Sequence, residues 1–208
     1  AAELLAGGVY TVTSSGDATV ASLATAAGAT LAIAGGTFRL LQGATGAAGA
    51  IQVAAGATLT ASGTFASSGS VDLADGASLV VDGALTLAGG GRIVLSGAAG
   101  VVGDGFDGGL LANHGERIEG AGAIGAGDGM LAFVNASGSV NANVGGAALT
   151  LFTGQTVVNS ARLQASGGGE LDIEDAVNNV GGVVAALAGG TVHVDNVVNG
   201  GSVVANGS

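Results

Sequence analysis

Residues 168–205, GGELDIEDAVNNVGGVVAALAGGTVHVDNVVNGGSVVA, contain the same pattern twice. Each copy opens with a Gly-Gly turn, continues with a run that alternates apolar and polar residues, and then reaches a Val-Asn pair and a second short apolar run. Leu171 and Val192 take the same place in the two copies. Alternation with a period of two is typical of β-strands, so each copy predicts short strands separated by turns.

The same unit recurs along the rest of the chain. Leucines that open an apolar run return at similar intervals, from Leu59 to Leu79, from Leu131 to Leu149, and from Leu149 to Leu171. The connections between runs are too short for crossover helices. We therefore predict an all-β chain that forms a parallel β-solenoid of about ten coils, each of roughly 20 residues.

A Val-Asn pair recurs in step with these leucines and marks one corner of the predicted coil. The predicted corner residues are Asn135, Asn159, Asn178 and Asn199. Asparagine tolerates the left-handed backbone region, which suits a corner. Asparagines at equivalent corners of successive coils can also hydrogen-bond as a ladder. Both roles are structural.

The composition excludes several classes of protein. Hydrophobic residues make up 48% of the chain and charged residues 9%, the reverse of a disordered chain. Proline is absent, which excludes collagen, and cysteine is absent, which excludes disulfides and thiolate metal sites. The net charge of −11 excludes a basic nucleic-acid-binding surface. The length of 208 residues fits one domain, so we predict a single solenoid domain over residues 1–208. No stretch is apolar enough for a transmembrane helix, so we expect that this segment is not embedded in a membrane.

A family resemblance is clearest in the second half of the chain. Residues 113–122 (NHGERIEGAG), 131–135 (LAFVN) and 139–142 (SVNA) are similar to the degenerate repeats of autotransporter passenger domains and filamentous-haemagglutinin-like adhesins of Gram-negative bacteria. The resemblance implies a right-handed parallel β-helix, a secreted or cell-surface location, and a structural or adhesive role. It also implies that a glycan or protein on a host or neighbouring cell is the partner.

No capping segment is evident at either end of the repeat pattern. We therefore expect the chain to be a segment of a longer secreted protein. Open ends of a solenoid present unpaired strand edges, which favour end-to-end self-association of the isolated segment.

Two alternatives stand beside an adhesive rod. Solenoid enzymes that cleave polysaccharides, of the tailspike or lyase type, need clustered carboxylates, basic residues and aromatic platforms for sugar rings. This chain has one tyrosine, no tryptophan and four arginines, so we predict no catalytic residues and no organic cofactor. The other alternative is a spacer stalk without a ligand, which differs from an adhesin only in lacking a specific surface.

Two acidic groups are candidate Ca²⁺ sites. If Leu171 and Ile173 face inward, a shift of one repeat places Asp172 beside His193 and Glu174 beside Asp195 on neighbouring coils. The candidate ligands at this first site are Glu174, Asp175 and Asp195. Those at the second site are Asp104 and Asp107, with Asp128 nearby. The competing interpretation is that all of these are solvated surface charges.

Residues 102–113 interrupt the regular pattern and contain the second acidic group. We predict that this segment is a loop excursion from the solenoid. Binding residues are often found on loops that a rigid scaffold supports, so the excursion is the predicted recognition element.

Overall fold

The computed structural model describes residues 1–206. Over this range the chain forms 27 β-strands and no helix. Strands of successive coils pair in parallel, and the strands of about ten coils lie in three stacks. The predicted all-β parallel solenoid is therefore confirmed.

Stack 1 is a ten-stranded sheet, and stacks 2 and 3 together form a seventeen-stranded sheet. Stack 1 consists of β2 (Tyr10–Ser14), β5 (Ala29–Ile33), β8 (Ala50–Val53), β10 (Ser70–Leu73), β12 (Arg92–Leu95), β15 (Arg117–Gly120), β18 (Ser139–Ala142), β21 (Arg162–Ala165), β24 (Val183–Ala186) and β27 (Ser202–Ala205). Stack 2 contains β3 (Ala18–Val20), β6 (Thr37–Leu40), β13 (Gly100–Gly103), β16 (Gly122–Ile124), β19 (Ala148–Leu151), β22 (Glu170–Ile173) and β25 (Thr191–Val194). Stack 3 contains β1 (Ala2–Leu4), β4 (Leu23–Thr25), β7 (Gly43–Ala47), β14 (Gly109–His114), β17 (Leu131–Asn135), β20 (Val157–Asn159), β23 (Val177–Asn178) and β26 (Val198–Asn199). Two long strands, β9 (Thr58–Ser67) and β11 (Ser78–Ala88), run through both stacks 2 and 3.

The coils differ in length. Along stack 1 the register step from Tyr10 to its partner Ala29 is among the shortest, and the step from Arg92 to its partner Arg117 is the longest. Stacked strands keep one register on the core face, so the extra residues of a long coil must lie in its corners and loops.

Most of the leucine pairs in the repeat occupy equivalent positions. Leu59 pairs with Leu79 in stacked strands, and Leu149 pairs with Leu171. The predicted equivalence of Leu131 and Leu149 is wrong, because Leu131 lies in stack 3 and Leu149 lies in stack 2. Both stacks contain short apolar runs after a glycine turn, so the sequence pattern alone does not distinguish them.

The core is a column of apolar side chains inside each stack. In stack 1 these are Leu31, Ile51, Val71, Ile93, Ile118, Val140, Leu163 and Val184, which pair in register. None of them is more than 3% exposed. Removing these side chains from water is the main favourable contribution to stacking, and each coil adds a similar amount.

The tight turns of the solenoid depend on glycine. Every described residue with positive φ is a glycine, including the stacked turn residues Gly56 and Gly76, each at +73°. The expectation that corner asparagines adopt the left-handed region is therefore wrong for the described residues. Glycine takes this conformation without steric cost, so the asparagines are free to serve through their side chains.

The predicted excursion at residues 102–113 is shorter than expected. Strand β13 ends at Gly103 and β14 starts at Gly109, which confines the loop to residues 104–108. The second half of the segment pairs in parallel with β11 below and β17 above. Leu111 and Asn113 face inward in this strand, so they belong to the solenoid and not to the loop.

Candidate functional site

Loops project from the corner between stacks 2 and 3 in three consecutive coils. In the two preceding coils, β9 and β11 pass this corner without interruption, bending at Gly63 and Gly83, which have φ of +78° and +71°. Residues 104–108, 125–130 and 152–156 leave the strands at the same corner, and we call them the loop ridge.

Hydrogen bonds between coils hold the bases of these loops together. The Gly109 amide donates to the Met130 carbonyl at 2.7 Å, which joins the first loop to the second. The Gly127 amide donates to the Phe152 carbonyl at 2.6 Å, and the Gly129 amide donates to the Thr153 carbonyl at 3.0 Å. Three loops from separate coils are thereby joined into one surface.

Asp175 anchors the third loop from the next coil. This carboxylate is 6% exposed, and one of its oxygens accepts hydrogen bonds from both the amide and the hydroxyl of Thr153. The other oxygen accepts from the Gly154 amide at 2.9 Å. Both oxygens are thus engaged in shaping the loop ridge.

Two phenylalanines expose apolar surface on the ridge. Phe106 is 87% exposed at the tip of the first loop, and Phe152 is 39% exposed at the start of the third. The Phe152 ring lies over Gly127, since a Cβ atom at that glycine would overlap the ring. Phe106 lies in the segment that the sequence predicts as a loop excursion. Phe152 directly follows a strand and carries no distinctive motif, so the sequence does not indicate its exposure.

Two aspartates of the ridge, Asp104 and Asp128, act as turn residues. Asp104 Oδ1 accepts a hydrogen bond from the Phe106 amide at 3.1 Å, and Asp128 Oδ1 accepts from the Met130 amide at 2.9 Å. Both contacts are local and are typical of Asx turns. The candidate site at Asp104, Asp107 and Asp128 does not form a metal-binding group, and the described part of the chain contains no cluster of three or more His, Cys, Asp or Glu residues that could hold a metal ion.

The other candidate Ca²⁺ site is also not assembled. Adjacent residues of an extended chain point to opposite faces, and Asp175 accordingly faces inward while Glu174 is half-exposed. The Asp195 amide donates to the Ile173 carbonyl at 3.0 Å, so Glu174 and Asp195 remain neighbours across coils. The three carboxylates therefore do not converge on one point.

The predicted pairing of Asp172 with His193 is confirmed by the register of β22 and β25. His193 Nε2 lies 3.4 Å from Glu170 Oε1. Partial burial raises the pKa of Asp172, and the charges of Asp195 and Glu170 raise it further, while His193 lowers it. Asp172 therefore holds its proton to a higher pH than an isolated aspartate does.

A buried asparagine ladder runs along the corner between stacks 3 and 1. The Asn113 side-chain amide donates to Asn135 Oδ1 at 3.1 Å, Asn135 donates to Asn159 at 2.8 Å, and Asn159 donates to Asn179 at 2.6 Å. All four side chains are 0% exposed. The ladder predicted for this corner therefore exists, with Asn135 and Asn159 as two of its members.

Asn178 and Asn199, however, are not members of the ladder. Asn178 is exposed, and its register partner Asn199 is exposed in the last coil. Asn179 takes the inward position and donates to the main-chain carbonyls of Gly200 and Ser202, each at 3.3 Å. Consecutive residues of an extended chain face opposite sides, so Asn179 points into the core while Asn178 points to solvent.

Glu116 is a buried carboxylate at the start of this ladder. It is 1% exposed, and neither of its oxygens accepts a hydrogen bond of ordinary length and angle from a described residue. Burial raises its pKa to about 7, although the nearby main chain of Gly91 and Ser67 lowers it in part. It occupies the position immediately before a stack 1 strand, which is filled in other coils by Gly49, Gly69, Gly91, Gly138, Ala161, Gly182 and Gly201.

Comparisons with known proteins do not add a family to this description. Protein-family models, curated protein sequences and solved structures gave no match to the chain. The likeness to bacterial surface adhesins therefore rests on the repeat pattern alone. Residues 1–206 include no helix long and apolar enough to cross a lipid bilayer.

The described residues thus offer three kinds of chemistry, two on the surface and one in the core. The loop ridge presents aromatic side chains on a hydrogen-bonded base, the β22 and β25 surface presents acidic groups and a histidine, and the core of one corner holds a single unpartnered carboxylate. Of these, the ridge combines exposure with a fixed shape, which is what a recognition surface requires.

Proposed function

We propose that the chain is a non-enzymatic structural and adhesive segment of a secreted or surface-exposed bacterial protein. In this proposal the stacked coils form a rigid rod, and the loop ridge contacts a protein or glycan on another cell. The observation that carries the proposal is that three loops from consecutive coils project at one corner while the parallel stacking continues beneath them.

The stacking supports the role of a rod. Ten stack 1 strands at the spacing of neighbouring strands give a length of about 45 to 50 Å. Each coil contacts its neighbours, so rigidity and stability grow with the number of coils. Such a segment holds a binding surface away from its point of attachment without a flexible linker.

The ridge supports contact with a partner. An aromatic side chain that is 87% exposed gains little from folding, because its surface stays in water. Its burial against a partner would remove this surface from water, and aromatic anchors are enriched at the centres of protein interfaces. The hydrogen-bonded loop bases reduce the ordering cost that binding incurs.

The arrangement of carboxylates supports a role without catalysis. Asp104 and Asp128 cap turns, and both Asp175 oxygens accept hydrogen bonds from the third loop. Carboxylates used in this way are not free to act as the acid and base of glycoside cleavage. The proposal therefore places recognition, and not bond cleavage, at the ridge.

Adhesion of coated microspheres tests the proposal. Spheres carrying the chain would be washed under flow over epithelial cells and over surfaces coated with mucin, collagen or fibronectin, with assay of released reducing ends. We expect retention on at least one surface without product, and at least a tenfold loss of retention in the double variant Phe106→Ala, Phe152→Ala. Val180→Ala is the matched control, because Val180 is an exposed apolar residue outside the ridge.

Three results would contradict the proposal. If the spheres adhere to none of the surfaces, the spacer stalk without a ligand is favoured. If reducing ends are released, a polysaccharide-cleaving enzyme is favoured. Equal retention of the ridge variant and the Val180 variant would place any adhesive surface elsewhere on the rod.

A further inference from the structure

Three of the four arginines of the chain lie in one column on the outer face of stack 1. The register pairs Ser70 with Arg92, Arg92 with Arg117, Arg117 with Ser139, and Ser139 with Arg162. All three arginines are exposed. In a chain with a net charge of −11, this concentration of positive charge on one strip is distinctive.

Arg92 and Arg117 are directly opposite each other in adjacent parallel strands. Like charges at this position repel each other and destabilise the sheet. The ion pairs among the described residues are Arg39 with Asp82 and His193 with Glu170, so no carboxylate neutralises the Arg92 and Arg117 pair. An external anion between the two guanidinium groups would relieve this repulsion.

A groove of about 380 Å³ begins at these two arginines and runs along the corner of the preceding coils. Its other lining residues are all alanine, glycine or serine, among them Gly49, Gly69 and Gly91. Side chains are excluded here by the stacking itself, since a Cβ atom at Gly69 would overlap the Gly49 carbonyl oxygen. Stacking therefore favours glycine at this position of the groove.

Two further carboxylates share this face without filling the groove. Asp72 accepts a hydrogen bond from the Ser70 hydroxyl at 2.9 Å, and Glu119 lies one outward position beyond Arg117 on the same strand. These charges limit the positive potential to the neighbourhood of the arginine pair. The local charge thus suits one isolated anionic group and disfavours a dense polyanion such as a nucleic acid.

We propose that the Arg92 and Arg117 groove binds an acidic saccharide. The carboxylate or sulfate of one sugar unit lies between the two guanidinium groups, and the ring lies along the small residues of the groove. Guanidinium forks match the oxygens of such anions, and the small lining residues of the groove leave space for a sugar ring beside the two arginines. This proposal rests on the proposed adhesive role of the chain. The groove is a second binding surface, separate from the loop ridge, and its ligand class is an acidic saccharide.

Chemical-shift titration of the isotopically labelled chain tests this inference with three probes on one sugar scaffold. Methyl glucuronide carries a carboxylate, glucose 6-sulfate carries a sulfate, and methyl glucoside is neutral. We expect saturable shifts of the Gly91, Arg92 and Arg117 amides with at least one acidic probe, and none with the neutral probe. The relative affinities of the two acidic probes identify which anion the groove prefers.

Substitutions then locate the site. We expect the double variant Arg92→Gln, Arg117→Gln to weaken binding at least tenfold, because it removes both charged donors. Arg39→Gln is the matched control, since Arg39 is an exposed arginine on stack 2. Folding of each variant is checked by the dispersion of the unliganded spectrum.

The proposal is overturned by an absence of saturable shifts with both acidic probes, by equal binding of the neutral probe, or by equal affinities of the double variant and the Arg39 variant. The outcome of the titration is independent of the adhesion assay, because the titration depends on Arg92 and Arg117 and the adhesion assay depends on the phenylalanines of the ridge. Loss of one function with retention of the other would therefore show which of the two proposals fails.

Discussion

Replacing Glu116 by glutamine should make the solenoid more stable at neutral pH. The carboxylate is 1% exposed, and no described residue donates a hydrogen bond of ordinary length and angle to it. Glutamine has nearly the same shape but carries no charge at any pH. The variant therefore isolates the cost of ionising a buried group without leaving a cavity.

The sign and size of the effect follow from the pKa. Burial raises the pKa of Glu116 from 4.5 to about 7. Between these two values the folded chain binds more protons than the unfolded chain, so stability falls as pH rises through this interval. A pKa difference of this size lowers the free energy of unfolding by about 3 kcal/mol at pH 8. At pH 4 the loss is close to zero, because the carboxyl group is protonated in both states.

Urea unfolding at pH 4, 5, 6, 7 and 8, followed by far-UV circular dichroism, measures this difference. We expect wild type and Glu116→Gln to have similar stability at pH 4, where both side chains are neutral. At pH 8 the variant should be more stable by about 3 kcal/mol. Comparing the two proteins cancels the titration of the other carboxylates.

Glu119→Gln is the control, because it removes an outward-facing carboxylate from the strand that follows Glu116. We expect this control to keep the decline in stability between pH 4.5 and 7 that Glu116 causes. Parallel stability curves for wild type and Glu116→Gln from pH 4 to pH 8 would refute the reasoning, since they would mean that ionisation of this group has the same cost in the folded and unfolded chains.

Two further predictions concern the ladder and the ridge. Asn179→Ala should lower stability in urea unfolding by about 2 kcal/mol, because the Asn159 side chain loses its buried acceptor. Asn178→Ala should change stability by less than about 0.5 kcal/mol, because Asn178 is exposed. Equal effects of the two substitutions would show that Asn179 is not the member of the ladder. Gly129→Ala should cost about 1 kcal/mol, because alanine must adopt a φ of +75° in open space. Gly127→Ala should cost more in thermal unfolding, because its Cβ also meets the Phe152 ring, and a cost no larger than that of Gly129→Ala would exclude the contact.

The strands and their spacing could be predicted because they depend on local patterns. Alternation places Leu171 and Ile173 inward, and both are 0% exposed. The shift of one repeat that aligns Leu171 with Val192 also aligns Asp172 with His193. Within one stack, a regular apolar pattern and a nearly constant shift determine the register.

Assignments that depend on the corners could not be predicted in the same way. Coil length varies along the chain, so sequence distance does not show which stack a strand joins. The repeat interval matches Leu131 with Leu149 for this reason, although they belong to different stacks. At the asparagine corner a shift of one position reverses the side that a residue faces, which is why Asn179 and not Asn178 is buried.

Three exceptions to the repeat lie in the longest coil, which runs from Arg92 to its stacked partner Arg117. This coil contains the loop at residues 104–108, the first asparagine of the ladder, and Glu116. Each coil of a solenoid is stabilised only by contacts with its neighbours. A coil that deviates from the repeat pattern must therefore gain compensating contacts within itself or with the adjacent coils. Asn113 provides such compensation, because its side chain accepts from the Glu116 amide and donates to the Glu116 carbonyl, both at 3.0 Å.

The same coil connects the two proposed recognition surfaces. At one corner its loop carries Phe106, and at another its end places Arg117 beside Arg92. Stacking alone explains the regular coils, whereas the exposed ring of Phe106 adds little stability and the unneutralised pair of Arg92 and Arg117 reduces it. Contact with a partner would bury the Phe106 ring, and an anionic ligand would neutralise the arginine pair. The coil that departs most from the repeat length is therefore where binding should be sought first.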